Sequence, residues 1–355
     1  MNQLEQARIT IDAIDSQMAA LFEQRMNAVC AVADYKAERG LPIYDAEREK
    51  QVLAKNTARI TDPALRPYYA DLLQHQMDLA KAFEAYRMGR DRVAYQGVEG
   101  AFAHIAATRL YPHAKAVNCA TWEEVFAAVE KDEAAYGVLP FENSHAGDVS
   151  AVLDLCYAHN LSVVKVYDLP VVQNLLSLPG AQLNQIKTVY SHPQAISQSE
   201  KFLRSFGLPA VAMDNTAMAA QHVAQTGDTS IAAIASEETA ALYGLQVLVP
   251  GINTDGDNTT RFIVVGKELP AEGNRFSLLF TVDNKPGKLA GVIERIGASG
   301  FNMECIKSRP MPRVPFEYYF YVELEGSPKA DATAKLLTQL EEICRTVRVL
   351  GVYTK

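Results

Sequence analysis

From Leu4 to Arg39 the chain runs without a Gly or Pro, and apolar residues recur at helical spacing: Ile11, Ile14, Met18, Leu21, Phe22, Val29 and Val32. The run predicts one helix of about 36 residues, about 54 Å long at 1.5 Å per residue. Gly40-Leu41-Pro42 ends it, Asp45 to Arg59 makes a second helix, and Asp62-Pro63 opens a third reaching about Arg87. Those two are too short to cover the apolar stripe of the first, so a helix of a second copy is expected to bury it. Residues 1–88 are therefore read as an all-α dimerising domain.

After Met88-Gly89-Arg90-Asp91-Arg92 the periodicity changes to short β-rich runs alternating with helices. Strands are predicted at Val93 to Gln96, Tyr136 to Phe141, Leu161 to Val166, Ile186 to Tyr190, Ala210 to Met213, Ser230 to Ala235 and Phe262 to Val265. Helices are predicted between them, as at Trp122 to Lys131 and Pro193 to Phe206. Such alternation predicts a mostly parallel α/β domain over residues 92–267, with two lobes around a cleft and ligands at the carboxyl ends of strands. From residue 274 to 355 the order becomes β-α-β-β-α-β, an α+β ferredoxin-like arrangement.

Several classes of function are set aside by composition. Charged residues make up 21% and hydrophobic ones 48%, as in a globular protein. No apolar run reaches the roughly 18 residues that span a bilayer, and the first residues lack a secretory pattern, so the cytoplasm is expected. The net charge of −8 disfavours a general nucleic-acid surface. Cys30, Cys119, Cys156, Cys305 and Cys344 are far apart and form no CxxC, and the histidines have no chelating spacing. No disulfide framework, metal or cofactor is predicted.

In the first segment Arg25 and Lys36 lie 11 positions apart, about three helical turns, and share a face roughly 16 Å from one another. Arg8 is rotated about 100° from Arg25 and is expected to reach into a partner's pocket rather than its own. Solvated surface charge is the alternative. The order Arg8, Arg25, Lys36, Asp45, Arg48, Glu49 resembles the helical chorismate mutases. In that family the matching cations bind the substrate carboxylates, and the first arginine comes from the other protomer. A Claisen rearrangement needs no nucleophile, only a compact conformer and stabilised charge on the ether oxygen. The resemblance makes Lys36 the donor to that oxygen and places Glu84 where the bacterial family often has glutamine, with Ala80 where serine is common. A carboxylate donates only when protonated, so mutase activity is expected to fall as pH rises.

In the middle segment, Leu139-Pro140-Phe141-Glu142-Asn143-Ser144 and Ser191-His192-Pro193-Gln194 put polar side chains at the ends of apolar strands, and Asn258-Thr259-Thr260-Arg261-Phe262 precedes another. Helix capping by Ser144 or Ser191 is the alternative reading. A Ser191/His192 hydrolytic pair is disfavoured, since no GxSxG turn is present. Gly97 to Phe102 (GVEGAF), PFENS, SHPQ, Leu242 to Leu248 (LYGLQVL) and TTRF together resemble prephenate dehydratases in order and spacing, in a fold like that of type II periplasmic binding proteins. The resemblance implies that Thr260 assists departure of a ring hydroxyl and that Arg261 binds or positions a carboxylate. Glu142, Asn143, Ser144, Ser191, Gln194 and Phe262 complete the substrate-binding set. Ala101 and Ala103 stand where hydroxyl residues are frequent.

In the last segment, Asn284 to Ala290 opens a helix and Cys305 to Pro310 follows a strand; a turn plus a strand end is the plain reading. They resemble the phenylalanine-contacting motifs of ACT domains, implying effector contacts at Gly287, Leu289, Ala290, Ser308, Arg309 and Pro310, with Lys307 where glutamate is usual. The resemblance implies a bifunctional enzyme acting on chorismate and prephenate, restrained by L-phenylalanine and assembled as a homodimer or dimer of dimers. A non-catalytic cytosolic amino-acid sensor or solute-binding protein is the alternative, but would not need the cationic bundle or Thr260. A mutase fused to a dehydrogenase is disfavoured by the lack of GxGxxG.

Overall fold

The computed structural model describes residues 2–254, 256–312 and 314–355. The chain forms two compact units, one made by the first 92 residues with residues 113–115, the other by the rest.

The first unit is helical: α1 (Gln3–Arg39), α2 (Ala46–Thr57) and α3 (Arg66–Arg87). Asn2 and Glu5 cap the start of α1 reciprocally, and Gly40 ends it in the left-handed conformation at φ 63°. Its buried residues, Val29 and Ala33, lie in its C-terminal part, and those of α3 are Leu73, Met77, Ala80 and Glu84. The N-terminal stripe stays open within one chain, with Ile11 54% and Leu21 61% exposed.

In the second unit the first lobe begins with β1 (Arg92–Gln96), α4 (Phe102–Leu110), β2 (Lys115–Cys119) and α5 (Trp122–Glu130). It continues through β3 (Tyr136–Asn143), β4 (Gly147–Asp148), α6 (Ser150–Ala158) and β5 (Ser162–Pro170). The second lobe holds β6 (Asn174–Ser177), β7 (Thr188–Ser191), α7 (Pro193–Gln198), α8 (Glu200–Ser205) and β8 (Ala210–Ala212). It is completed by α9 (Thr216–Thr226), β9 (Ile231–Ala235), α10 (Glu237–Tyr243) and β10 (Gln246–Val249) before β11 (Thr259–Gly266) returns to the first lobe. The C-terminal succession is β12 (Arg275–Thr281), α11 (Lys288–Ala298), β13 (Asn302–Pro310), β14 (Tyr318–Glu325), α12 (Asp331–Ile343) and β15 (Thr346–Tyr353).

The second lobe has its own sheet, ordered β10-β6-β9-β7-β8. The other sheet runs β13-β14-β12-β15-β5-β11-β3-β1-β2, so the C-terminal strands continue the first lobe's sheet, with Gly351 opposite Val163 where β15 meets β5. A Cβ at Gly351 would lie 2.6 Å from that of Val163, so glycine permits the join.

Two expectations are corrected. The sheets are mixed rather than mostly parallel: β1–β3, β7–β8 and β7–β9 are parallel, while β3–β11, β5–β11, β6–β9 and β6–β10 are antiparallel. The reason is that β6 and β11 are entered from crossovers between lobes rather than from helices on the same face. The single helix expected from Pro193 to Phe206 breaks at Ser199, whose φ of −111° ends α7 and precedes α8.

Candidate active sites

In the helical unit Lys36 Nζ donates to Glu84 Oε2 at 2.8 Å and to the Ile43 carbonyl at 2.7 Å. Both side chains are largely shielded, so α1 and α3 hold a buried ion pair. Arg25 reaches the Gln76 carbonyl at 3.4 Å. Asp45 caps α2 by accepting from the Arg48 backbone amide, while the Arg48 and Arg8 side chains are exposed. Glu49 pairs with Lys81 at 2.8 Å; Lys81, which also meets Asp78, was not foreseen because it falls in none of the recognised motif positions.

In the second unit a cavity of about 170 Å³ opens between the lobes. The first lobe contributes Ala101, Phe102, Asn143 and Thr260; the second contributes His192, Gln194, Gln198, Asn215 and Thr216. Val171, Gln173 and Asn258 line it from the two crossovers. These crossovers are sewn together: Val171 N donates to Asn258 O at 2.8 Å, and Ile252 N to Gln173 O at 2.8 Å.

Asn143 organises the first-lobe wall. Its Oδ1 accepts from the His145 and Ala146 backbone amides at 3.1 and 2.9 Å, which fixes the amide so that Nδ2 faces the cavity side. Nδ2 then donates to Thr260 Oγ1 at 3.0 Å and Asn258 Oδ1 at 2.8 Å. Thr260 thus accepts at its oxygen and keeps its proton free to donate. β3 bulges at Phe141, since Arg261 faces Glu142 but Phe262 faces Pro140.

Arg261 follows Thr260 on the strand and leaves by the opposite face. It meets Asp168 Oδ1 at 3.0 Å through Nε and Glu142 Oε2 at 3.7 Å, and it does not line the cavity. Burial works to lower its pKa, but Asp168, Glu323 and Glu142 more than offset this and hold the guanidinium above its ordinary value. On the same side Lys307 of β13 is almost enclosed, 3.3 Å from Glu142 Oε2, bonded to Asp148, and 4.8 Å from the Phe141 ring centre.

The other positions named from sequence divide between the cavity and the rest of the fold. Gln194 lines the cavity; Ser191 is fully buried with its hydroxyl donating to Ile234 O at 2.6 Å, and Phe262 is buried. Ser144 ties β3 to β11, its Oγ accepting from Thr259 N at 3.0 Å, so it does not cap a helix. His192, not Ser191, is the N-cap of α7. Gly287 begins α11 at φ 81°, followed by Leu289 and Ala290; Ser308 and Pro310 are exposed. Arg309 points to the first lobe, forked on Asp154 at 3.0 and 2.6 Å, and Tyr319 donates to the same carboxylate at 2.6 Å.

The turn Gly97 to Ala101 meets α10: Thr239 Oγ1 donates to Gly100 O at 2.8 Å and the Tyr243 hydroxyl to Glu99 O at 3.0 Å. At φ +84°, and with Thr239 and Leu242 3.2 and 3.3 Å from a hypothetical Cβ, Gly100 has no room for a side chain. This contact links the first and fourth sequence motifs across the cleft.

Residues 93–270 match the family model described as Prephenate dehydratase, and residues 7–85 that described as Chorismate mutase type II. A bifunctional chorismate mutase/prephenate dehydratase of Aquifex aeolicus is 31% identical over 100% of this chain and 99% of its own length. The chain belongs to the bifunctional chorismate mutase/prephenate dehydratase family. It carries both activities and serves phenylalanine biosynthesis. An arogenate dehydratase/prephenate dehydratase of Arabidopsis thaliana is 37% identical over 74% of this chain and 73% of its own. A solved prephenate dehydratase of Arthrobacter aurescens in complex with L-Phe is 26% identical, with a TM-score of 0.68, and covers 74% of this chain and 90% of that one. The dehydratase motifs therefore lie in the two-lobed unit and the mutase motifs in the helical one. Among the described residues no helix is long and apolar enough to cross a membrane.

Proposed function

We propose that the inter-lobe cavity is the dehydratase site and that Thr260 is the group assisting departure of the ring hydroxyl. The carrying observation is the Asn143–Thr260 bond of 3.0 Å, which orients the threonine oxygen as an acceptor and leaves its proton for substrate. As the bond to the ring carboxylate breaks, carbon dioxide leaves and the electron pair enters the ring. The π electrons shift, the carbon–oxygen bond breaks, and the hydroxyl takes up a proton, passed from the Thr260 hydroxyl and replaced on it from solvent, and departs as water. A hydrogen bond from Thr260 lowers the cost of charge on that oxygen, and the shielded setting strengthens it. Gln194 and Asn143 line the walls, while Arg261 and Glu142 act from behind β3 and β11 as positioning residues. Thr260→Ala should lower prephenate turnover by about 10²-fold and Thr260→Ser should retain most of it, since serine keeps the donor; equal activity of the two variants would refute the assignment.

In the mutase half, Lys36 is the donor to the ether oxygen and Glu84 its partner across the pocket. Arg25, Arg48, Asp45 and Glu49 bind or frame the substrate, and Arg8 is supplied by the partner in a homodimer that covers the exposed stripe of α1. The domains are taken as residues 1–88, 92–267 and 274–355. L-Phenylalanine is the effector of the C-terminal domain, an assignment supported by the complex of the Arthrobacter aurescens protein. Five unpaired cysteines accord with a reducing cytoplasm.

A further inference from the structure

Prephenate carries two carboxylates, yet among the described residues no Lys or Arg lines the inter-lobe cavity; its polar wall is chiefly amide: Asn143, Gln173, Gln194, Gln198, Asn215 and Asn258. Two features in it are ready for an anion. The first is the start of α4, a helix of nine residues whose N-cap, Ala101, offers no side-chain hydrogen bond. The Ala101 amide donates to Val98 O and the first intrahelical bond is Ile105 N to Ala101 O, so the amides of Phe102, Ala103 and His104 are the ones without helical partners, and both Ala101 and Phe102 line the cavity. The helix N-termini of α7 and α9, by contrast, are capped by His192 and Asn215.

The second feature is independent. Asn258 is 4% exposed and lines the same cavity. Asn143 Nδ2 occupies its Oδ1, which fixes Nδ2 as the remaining donor, and that atom has no hydrogen-bond partner among the described residues. A buried amide donor without an acceptor costs free energy unless a ligand supplies one.

We infer that the uncapped N-terminus of α4 and Asn258 Nδ2 form a subsite for one carboxylate of prephenate, the side-chain carboxylate that remains on the product. Where a side chain would otherwise cap α4, the substrate itself does so. The assignment to the retained carboxylate follows from the chemistry: the ring carboxylate must become neutral carbon dioxide, and stabilising it as an anion would oppose the reaction. A helix terminus and an amide hold one carboxylate without a full positive charge that would also grip the other. The inference rests on the cavity being the dehydratase site.

The test uses the full chain. Ala101→Asp places a competing carboxylate at the cap, and Asn258→Asp replaces the free donor by an acceptor while preserving the bond from Asn143. Each should raise KM for prephenate at least tenfold with kcat changed less, and should weaken competitive inhibition by phenylpyruvate in parallel. Thermal melting and mutase turnover report that the variants fold. KM within twofold of wild type in both folded variants would overturn the subsite, and weakened prephenate binding with unaltered phenylpyruvate inhibition would overturn the choice of carboxylate. Thr260→Ala, assayed alongside, separates this failure from failure of the site itself: full dehydratase activity there would remove the cavity from the reaction altogether.

Discussion

Thr260 and Arg261 are consecutive on β11 but face opposite sides of the sheet: Thr260 Oγ1 is 3.0 Å from Asn143 Nδ2 at the cavity, and Arg261 Nε is 3.0 Å from Asp168 Oδ1 behind it. One short strand therefore carries a cavity hydroxyl on one face and an ionic anchor on the other. The anchor joins Asp168 of β5 and Glu142 of β3, the strands on either side of β11.

Arg261→Ala should act through stability and position rather than through substrate binding. Removing the guanidinium leaves Asp168, Glu142 and Glu323 without their shared cation, at a cost of about 2–3 kcal/mol. Chemical denaturation should show that loss, and kcat should fall more than KM rises. Unchanged stability with a large rise in KM would make Arg261 a direct substrate ligand.

Lys307→Met should loosen the contact of β13 with β3 and β4, because Glu142 and Asp148 both meet its ammonium. The expected result is a loss of about 1–3 kcal/mol and a changed response of prephenate turnover to L-phenylalanine. A variant with wild-type stability and an unaltered phenylalanine titration would show that this ion pair couples nothing.

Acid should weaken the Asp154 contact selectively. The hydrogen bond from Arg309, more than that from Tyr319, holds the Asp154 carboxyl below its ordinary value. A depressed carboxylate pKa stabilises the fold above the unfolded value near 4 and ceases to do so as pH falls through the folded one. The difference in Tm between wild type and Asp154→Asn should therefore be full at neutral pH and shrink below about pH 4; a constant difference would contradict the linkage.

The mutase half offers a separate test. Glu84 faces Lys36 at 2.8 Å as an acceptor, whereas donation to a substrate oxygen requires its proton. Glu84→Ala should lower chorismate turnover, because it leaves the shielded Lys36 ammonium without its carboxylate, while Glu84→Gln, which can still accept from Lys36 and adds a donor, should retain more activity than Glu84→Ala. Equal turnover in the two variants would rule out a role for Glu84 beyond packing.

The helical unit was legible almost residue by residue, because the Gly- and Pro-free run and Gly40-Leu41-Pro42 state its length and end locally. The C-terminal order was legible because its helices α11 and α12 carry an apolar face and its strands are seven to nine residues long. The strand Asn174–Ser177 was not: all four residues are buried, so no alternation betrays it. Thr260, Asn143 and Gln194 were marked by motifs at strand ends. Asn258 could have been found from the Asn258-Thr259-Thr260-Arg261-Phe262 motif, which it opens just before β11. Gln173 and Asn215 could not, since their place at the cavity depends on how crossovers bring the lobes together. Ser191 was named for its motif, but the hydroxyl belongs to the sheet through Ile234.

The most direct measurement feeds chorismate to the full chain at neutral pH and follows prephenate and phenylpyruvate in wild type and Thr260→Ala. The variant should consume chorismate at the wild-type rate and accumulate prephenate, with phenylpyruvate formed about 10²-fold more slowly. Phenylpyruvate appearing at the wild-type rate would remove Thr260 from the elimination.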